Sequence, residues 1–134
     1  MAKTYKVFIS HSWAYVEDLK KLRNLLEKRG YFKVDFEEAS PNEPINSSNA
    51  TYIKSRLKQK ILNSDVVLGI AGVYASYSEW IEWEMNTAFN NDIPIVGVIP
   101  RGQQRISQIV YNKSKTDVGW NTESIVTAIR KYSK

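Results

Sequence analysis

The apolar positions of this chain follow two spacings, one typical of strands and the other typical of helices. Short runs of β-branched and aromatic residues predict strands at residues 5–10, 31–36, 65–72 and 93–99. Between these runs, apolar residues recur at intervals of three and four, which predicts helices near residues 13–29, 53–61 and 76–89. Residues 101–114 suggest a loop and a short helix, residues 116–120 an edge strand, and Asn121 or Thr122 the cap of a last helix.

Strands that alternate with helices predict parallel strands joined by right-handed crossovers. The expected fold is therefore α/β: a flavodoxin-like three-layer α/β/α sandwich whose parallel sheet has four or five strands in the order 2-1-3-4-5. A length of 134 residues suits a single domain over residues 1–134. Ligands of such sheets bind at the carboxyl ends of the strands, beside the switch between strands one and three.

Composition excludes several kinds of chemistry. The chain has no cysteine and a single histidine, His11, which excludes a thiol nucleophile, cysteine-bound zinc and a multi-histidine metal site. We therefore expect no metal and no cofactor. The sequence begins without a secretory signal and has no apolar run near the length of about 18 residues that a membrane span needs. A cytoplasmic protein without a membrane partner is expected.

The net charge of +5 is concentrated in the last quarter of the chain. Residues 1–100 hold twelve basic and twelve acidic side chains, whereas residues 101–134 hold seven basic and two acidic ones. No glycine-rich, RNP-type or helix-turn-helix motif accompanies this excess, so nucleic-acid binding is not predicted. We interpret it as a solvated basic surface, with an anionic ligand or an acidic partner as the alternative.

One acidic residue, Glu84, occupies an unusual place for a glutamate. On the helix predicted at residues 76–89, it borders an apolar arc formed by Ile81, Met85, Ala88 and Phe89. Trp80 lies one turn before Glu84 on the same stripe. The expected topology brings this helix to the carboxyl end of the first strand, so Glu84 is predicted to face the crevice there.

Two motifs about 70 residues apart resemble those of TIR domains. Residues 8–12, Phe-Ile-Ser-His-Ser, resemble the first TIR signature, and the pattern Ser78-x-Trp80-x-x-x-Glu84 resembles the surroundings of the catalytic glutamate in NAD-consuming TIR enzymes. The chain is most similar to the compact prokaryotic branch that includes the Thoeris antiphage-defence proteins. This resemblance implies cleavage of the nicotinamide N-glycosidic bond of NAD, self-association, and an effector that receives a nucleotide signal.

The resemblance also implies residue roles. Glu84 would be catalytic, staying ionised to stabilise the cationic ribose and to hold its hydroxyls, while Trp80 would exclude water. Further candidates for substrate binding come from the motifs or from the loops that the topology gathers at the same edge. Together, the predicted substrate-binding residues are Phe8, Ser10, His11, Ser12, Trp13, Asp35, Ser78, Trp80 and Arg101.

Other functions are left open by the residues. The segment 36–49 lacks the glycine of adaptor TIR loops and no Phe-Trp pair is present, which disfavours receptor-adaptor signalling. A non-catalytic TIR-like assembly module is the main alternative. A nucleoside deoxyribosyltransferase shares the fold type and a glutamate after the third strand, but its Asp and Gly-Thr signature is absent. A phospho-receiver is disfavoured because the first strand ends in Ser10 and not in an aspartate.

Overall fold

The computed structural model describes residues 4–10, 16–29, 33–38, 50–70, 79–99 and 108–133. These ranges contain five strands and five helices. The strands are β1 (Thr4–Ser10), β2 (Lys33–Glu38), β3 (Val66–Ile70), β4 (Ile95–Val98) and β5 (Thr116–Val118). The helices are α1 (Val16–Glu27), α2 (Ala50–Leu62), α3 (Glu79–Asn90), α4 (Gln108–Tyr111) and α5 (Thr122–Tyr132).

The strands form one parallel sheet. Its order is β2-β1-β3-β4-β5, and each neighbouring pair runs parallel. This arrangement confirms the predicted flavodoxin-like order, with five strands. The order changes direction between β1 and β3, so the carboxyl ends of these two strands lie side by side at the predicted binding edge.

The strands β1, β3 and β4 send alternate side chains to two separate apolar layers. Val7 and Ile9 of β1 pack in a core with α1 and α5, whereas Phe8 packs in a second core with α2, α3 and α4. Because Ser10 follows Phe8 by two residues, it points to the same side as Phe8. The second core consists of Phe8, Leu57, Ile61, Val67, Ile81, Met85, Ala88, Ile93, Ile95 and Val110.

Several local predictions are confirmed and one is wrong. The short helix and the edge strand expected after residue 101 are present as α4 and β5. Asn121 caps α5, where its side chain accepts a hydrogen bond of 3.0 Å from the backbone N–H of Ser124. Phe89, which was assigned to the buried arc of α3, is 53% exposed, because Ala88 is the last residue of α3 in the second core and Phe89 follows it by about 100° around the helix. Among the described residues, no helix is both long and apolar enough to cross a bilayer.

Candidate functional site

A row of small residues, here called the row of short side chains, crosses the sheet near the carboxyl ends of its strands. The parallel register pairs Ser10 with Gly69, Gly69 with Gly97, and Gly97 with Asp117. A Cβ atom on Gly69 would lie 3.1 Å from Val110 Cγ1 and 3.4 Å from Met85 Sδ. The row therefore faces α3 and α4, and the missing side chain of Gly69 lets both helices approach the sheet closely.

This close approach brings Glu84 to the end of β1. Met85 is fully buried above Gly69, and Glu84, the preceding residue, is also buried against the sheet. Ser10 Oγ donates a buried hydrogen bond of 2.6 Å to Glu84 Oε1, across 74 positions of sequence. Glu84 was predicted at the edge of the apolar face of its helix, but it lies inside that face, with only 1% of its surface exposed.

The second carboxyl oxygen of Glu84 has no hydrogen-bond partner among the described residues. Among the described residues, Oε2 is the one buried side-chain nitrogen or oxygen without a hydrogen bond. Burial raises the pKa of Glu84 from 4.5 to about 8, and the hydrogen bond from Ser10 opposes this rise. Burial therefore favours the neutral carboxyl in the ligand-free protein, whereas the ionised state expected of Glu84 during the reaction stays a prediction.

Two tryptophans of α3 border the turn that carries Glu84. The rings of Trp80 and Trp83 meet edge to face, with centroids 6.0 Å apart and planes at 83°. Both side chains are half-buried and pack against the second core. Trp80 lies one helical turn before Glu84, as its spacing predicts. The edge-to-face contact therefore joins two side chains of one helical turn beside Glu84.

The structure distributes the other predicted site residues unevenly. Phe8 is fully buried in the second core, where its described contacts are those of packing, and its predicted contact with a substrate stays a prediction. Asp35 is not brought to the site: it is an exposed residue in the middle of β2, where it pairs with Lys6. Lys6 precedes Ser10 by four residues, so Asp35 lies about 13 Å from the end of β1 along the strand direction. The remaining candidates, His11, Ser12, Trp13, Ser78 and Arg101, lie outside the described residues.

Sequence reasoning did not identify Gly69 or Met85 as positioning residues. Gly69 interrupts an otherwise continuous apolar run in β3, and a glycine inside a strand is a known sign of close backbone approach. That signal, combined with the place of Met85 next to Glu84, would have predicted a helix seated directly on the sheet. The direct hydrogen bond between Ser10 and Glu84 was also missed, although both residues were placed in one region.

The arrangement offers limited but specific chemistry. A buried carboxyl with one oxygen held by a serine and the other free can accept a hydrogen bond from a hydroxyl or face a positive charge. Within the described ranges, no three His, Asp or Glu side chains lie close enough together to hold a metal ion. A ligand reaches Oε2 only when the atoms that cover Glu84 move, since so little of the side chain is exposed.

Solved structures share the architecture of this chain. A 3-dehydroquinate dehydratase-like protein from Bifidobacterium longum matches with a TM-score of 0.57 at 13% identity, covering 96% of this chain and 94% of that one. S. aureus MnaA with UDP matches with a TM-score of 0.54 at 17% identity, covering 98% of this chain and 42% of that one. A flavoprotein from Lactobacillus acidophilus in complex with FMN matches with a TM-score of 0.50 at 12% identity, covering 98% of this chain and all 100% of that one. At such low identities these likenesses establish the fold alone.

A family match is more specific than these structural likenesses. None of the curated proteins matches this chain. Residues 8–105, however, match the family described as Thoeris protein ThsB, TIR-like domain. The matched segment begins at Phe8 in β1 and includes all of β3, α3 and β4, so it contains both members of the Ser10–Glu84 pair. The chain therefore belongs to the TIR-like domain family of the Thoeris protein ThsB.

Proposed function

We propose that this protein is an NAD-consuming enzyme that cleaves the N-glycosidic bond between nicotinamide and ribose. The products are nicotinamide and either ADP-ribose or a cyclic isomer of ADP-ribose. The observation that carries this proposal is the buried carboxyl of Glu84, which Ser10 holds at the end of β1 and whose other oxygen has no partner in the part of the chain that the structure describes. Membership of the Thoeris TIR-like family supports it.

The proposed reaction needs one well-placed carboxylate. As the C–N bond breaks, its electron pair moves to nicotinamide, and positive charge develops on the ribose as an oxocarbenium-like species. A carboxylate at about 4 Å would favour that charge by roughly 4 kcal/mol at an effective dielectric constant of about 20. This energy corresponds to about a thousandfold in rate. Water or an adenine nitrogen then attacks the ribose and completes the reaction.

The free oxygen of Glu84 is the one assigned to the substrate. Ser10 holds Oε1, so the carboxyl group cannot rotate without losing its buried hydrogen bond. Oε2 is left to accept a hydrogen bond from a ribose hydroxyl or to face the developing cation. Because Glu84 is covered in the ligand-free protein, we propose that substrate binding or self-association opens the site.

The direct test is incubation with NAD at low and high protein concentration, with the products identified by mass spectrometry. Glu84→Gln keeps the shape of the side chain and should lower nicotinamide release by about a thousandfold or more. Glu82→Gln is the matched control, because Glu82 is an exposed glutamate of the same helix and should retain full activity. Circular dichroism should show that both variants fold like the natural protein.

Two results would contradict the proposal. Full activity of the Glu84→Gln variant would remove the assigned role of Glu84. Absence of nicotinamide release at every protein concentration would support the second candidate, a non-catalytic assembly module. The observation in favour of that candidate is the burial of Glu84, since a buried and hydrogen-bonded carboxyl is also consistent with a purely structural role.

The family suggests where such an enzyme acts. We propose that the product is a nucleotide signal in antiphage defence, received by a separate effector protein. The partners proposed for this chain are therefore NAD, further copies of itself, and that effector. Product identification in the same assay distinguishes a cyclic signal from linear ADP-ribose.

A further inference from the structure

Glu84 faces no charged side chain among the residues that the structure describes. Of the strands that α3 packs against, β3 and β4 carry no titratable residue, and β1 carries only Tyr5 and Lys6, near its other end. On α3 itself Glu82 is exposed, and across the row Asp117 lies three strand spacings, or about 14 Å, from Ser10. The packed helices α2 and α4 contribute only side chains that reach solvent, namely Tyr52, Lys54, Arg56, Lys58, Lys60 and Tyr111.

Burial favours the neutral form of a carboxyl in such surroundings, and a cation brought by a ligand would favour the ionised form. No positive group among the described residues offsets desolvation, and burial raises the pKa of Glu84 to about 8. A positive charge placed against Oε2 would reverse this balance, because an opposite charge within about 4–6 Å favours the ionised form. The charge state of Glu84 is therefore set by what occupies the space beside Oε2.

We propose that the Ser10–Glu84 pair recognises the cationic ring of an oxidised nicotinamide nucleotide by exchanging the proton on Glu84 for the positive charge of that ring. The inference rests on the proposed function, because it assigns the substrate's charge to the same site. It adds selectivity at the binding step, which the proposed reaction does not require. The site binds the oxidised nucleotide and disfavours the reduced one, whose ring is uncharged. A neutral ring would leave the proton in place and gain no charge attraction.

The proton balance closes over one hydrolytic turnover. On binding, Glu84 releases its proton to the solvent and becomes a carboxylate beside the pyridinium ring. When the C–N bond breaks, the ring leaves as neutral nicotinamide and the positive charge passes to the ribose. Attack by water on the ribose forms the new C–O bond and releases one proton. Glu84 takes up a proton as the cation disappears, so the site returns to its neutral state.

Ser10 acts in this exchange as a positioning residue. Its hydroxyl donates to Oε1, and a hydrogen bond donated to a carboxylate stabilises the ionised form. The same bond keeps Oε2 as the oxygen that meets the ligand. Without Ser10, ionisation of Glu84 would require a still stronger opposing charge, and the carboxyl would be free to turn.

The experiment measures protons released on binding, using an NAD analogue that cannot be cleaved. In the carbocyclic analogue a methylene group replaces the ribose ring oxygen, so no oxocarbenium ion forms, but the pyridinium charge is kept. Isothermal titration calorimetry at pH 7 in phosphate and in Tris, which differ in ionisation enthalpy, gives the number of protons released. The natural protein should release about one proton per analogue bound. Its apparent affinity should tighten by up to about tenfold per pH unit between pH 6 and pH 8.

The controls separate this inference from the proposed function. Glu84→Gln should bind the analogue without proton release and without the pH dependence, whereas Glu82→Gln should behave like the natural protein. Reduced NADH should bind more weakly than the analogue and release no proton. Binding of the analogue without proton release, beside intact cleavage of NAD, overturns the inference and leaves the proposed function standing. A protein that neither binds the analogue nor cleaves NAD overturns both.

Discussion

Two carboxyl groups at opposite ends of the row of short side chains make the same kind of contact in different surroundings. Glu84 accepts a hydrogen bond of 2.6 Å from Ser10, and Asp117 accepts one of 2.8 Å from Ser114. Burial raises the pKa of each carboxyl group, and its serine opposes the rise. Glu84 is fully buried, however, whereas Asp117 is half-buried on the edge strand β5.

The two pairs also differ in how the chain brings them together. Ser114 and Asp117 are three residues apart, so a single turn of chain is enough to form their contact. Ser10 and Glu84 are 74 residues apart, and their contact depends on the order of the strands and on the close packing of α3. The difference is that long-range packing removes the Ser10–Glu84 pair from water and leaves one carboxyl oxygen without a described partner, whereas the local Ser114–Asp117 pair remains partly exposed.

The largest expected difference between the two carboxyl groups is in the pH dependence of stability. The folded protein keeps the proton on Glu84 up to about pH 8, whereas an unfolded chain loses it near pH 4.5. The folded state therefore binds more protons in this interval, so the free energy of unfolding should fall as pH rises, by up to about 1 kcal/mol per pH unit. Urea denaturation at pH 5, 6.5 and 8 should show this fall in the natural protein and a flatter profile in Glu84→Gln.

The Asp117→Asn variant is the matched control for this profile. Solvent reaches Asp117, so its substitution should change the slope with pH much less than Glu84→Gln does. A steep profile that persists in Glu84→Gln would show that another group takes up the proton and that Glu84 is not the dominant buried acid.

A smaller difference is expected when the two glycines of the row are replaced. In Gly97→Ala the new Cβ atom would clash with Asp117 Oδ1 and lie 3.2 Å from Val110 Cγ1, so we expect the free energy of unfolding to fall by about 1–3 kcal/mol. In Gly69→Ala the nearest atoms are at 3.1–3.4 Å and belong to Val110 and Met85, so the loss should be smaller. Because Met85 adjoins Glu84, however, Gly69→Ala should reduce NAD cleavage more than Gly97→Ala does. Activity is measured beside the denaturation curve of each variant. An equal loss of activity in both variants would argue against a special role for the close contact of α3 with Gly69.

The smallest difference is expected when each serine is replaced. Ser10→Ala leaves a buried carboxyl without any described partner, which should cost about 1–3 kcal/mol of stability. Ser114→Ala exposes a half-buried carboxyl to water and should cost about 0.5–1 kcal/mol. Ser10→Ala should also raise the pKa of Glu84 and move the pH profile of NAD cleavage upward, whereas Ser114→Ala should not. A Ser10→Ala profile that does not move would reduce Ser10 to a packing residue.

Much of the architecture could be predicted from the sequence because strand and helix periodicities are local properties. The apolar run at residues 66–70 and the β-branched and aromatic run of β1 specify buried strands, and the alternation of strands with helices leaves few topologies. The same rules located Ser10 and Glu84 at one edge of the sheet. Strand ends were less accurate: β2 continues to Glu38, two residues beyond its predicted end, and for this reason Asp35 was assigned to the site when it lies inside the strand.

The sequence by itself determined the order of elements, the parallel sheet and the helix that carries Glu84, since these follow from which residues avoid water at each spacing. Only the tertiary structure decided the state of that glutamate. Its proton depends on complete desolvation and on a hydrogen bond from a residue 74 positions away, and neither is a property of local sequence. Burial against the sheet, with no cation and no second hydrogen-bond partner among the described residues, favours the neutral form of an otherwise ordinary helical glutamate.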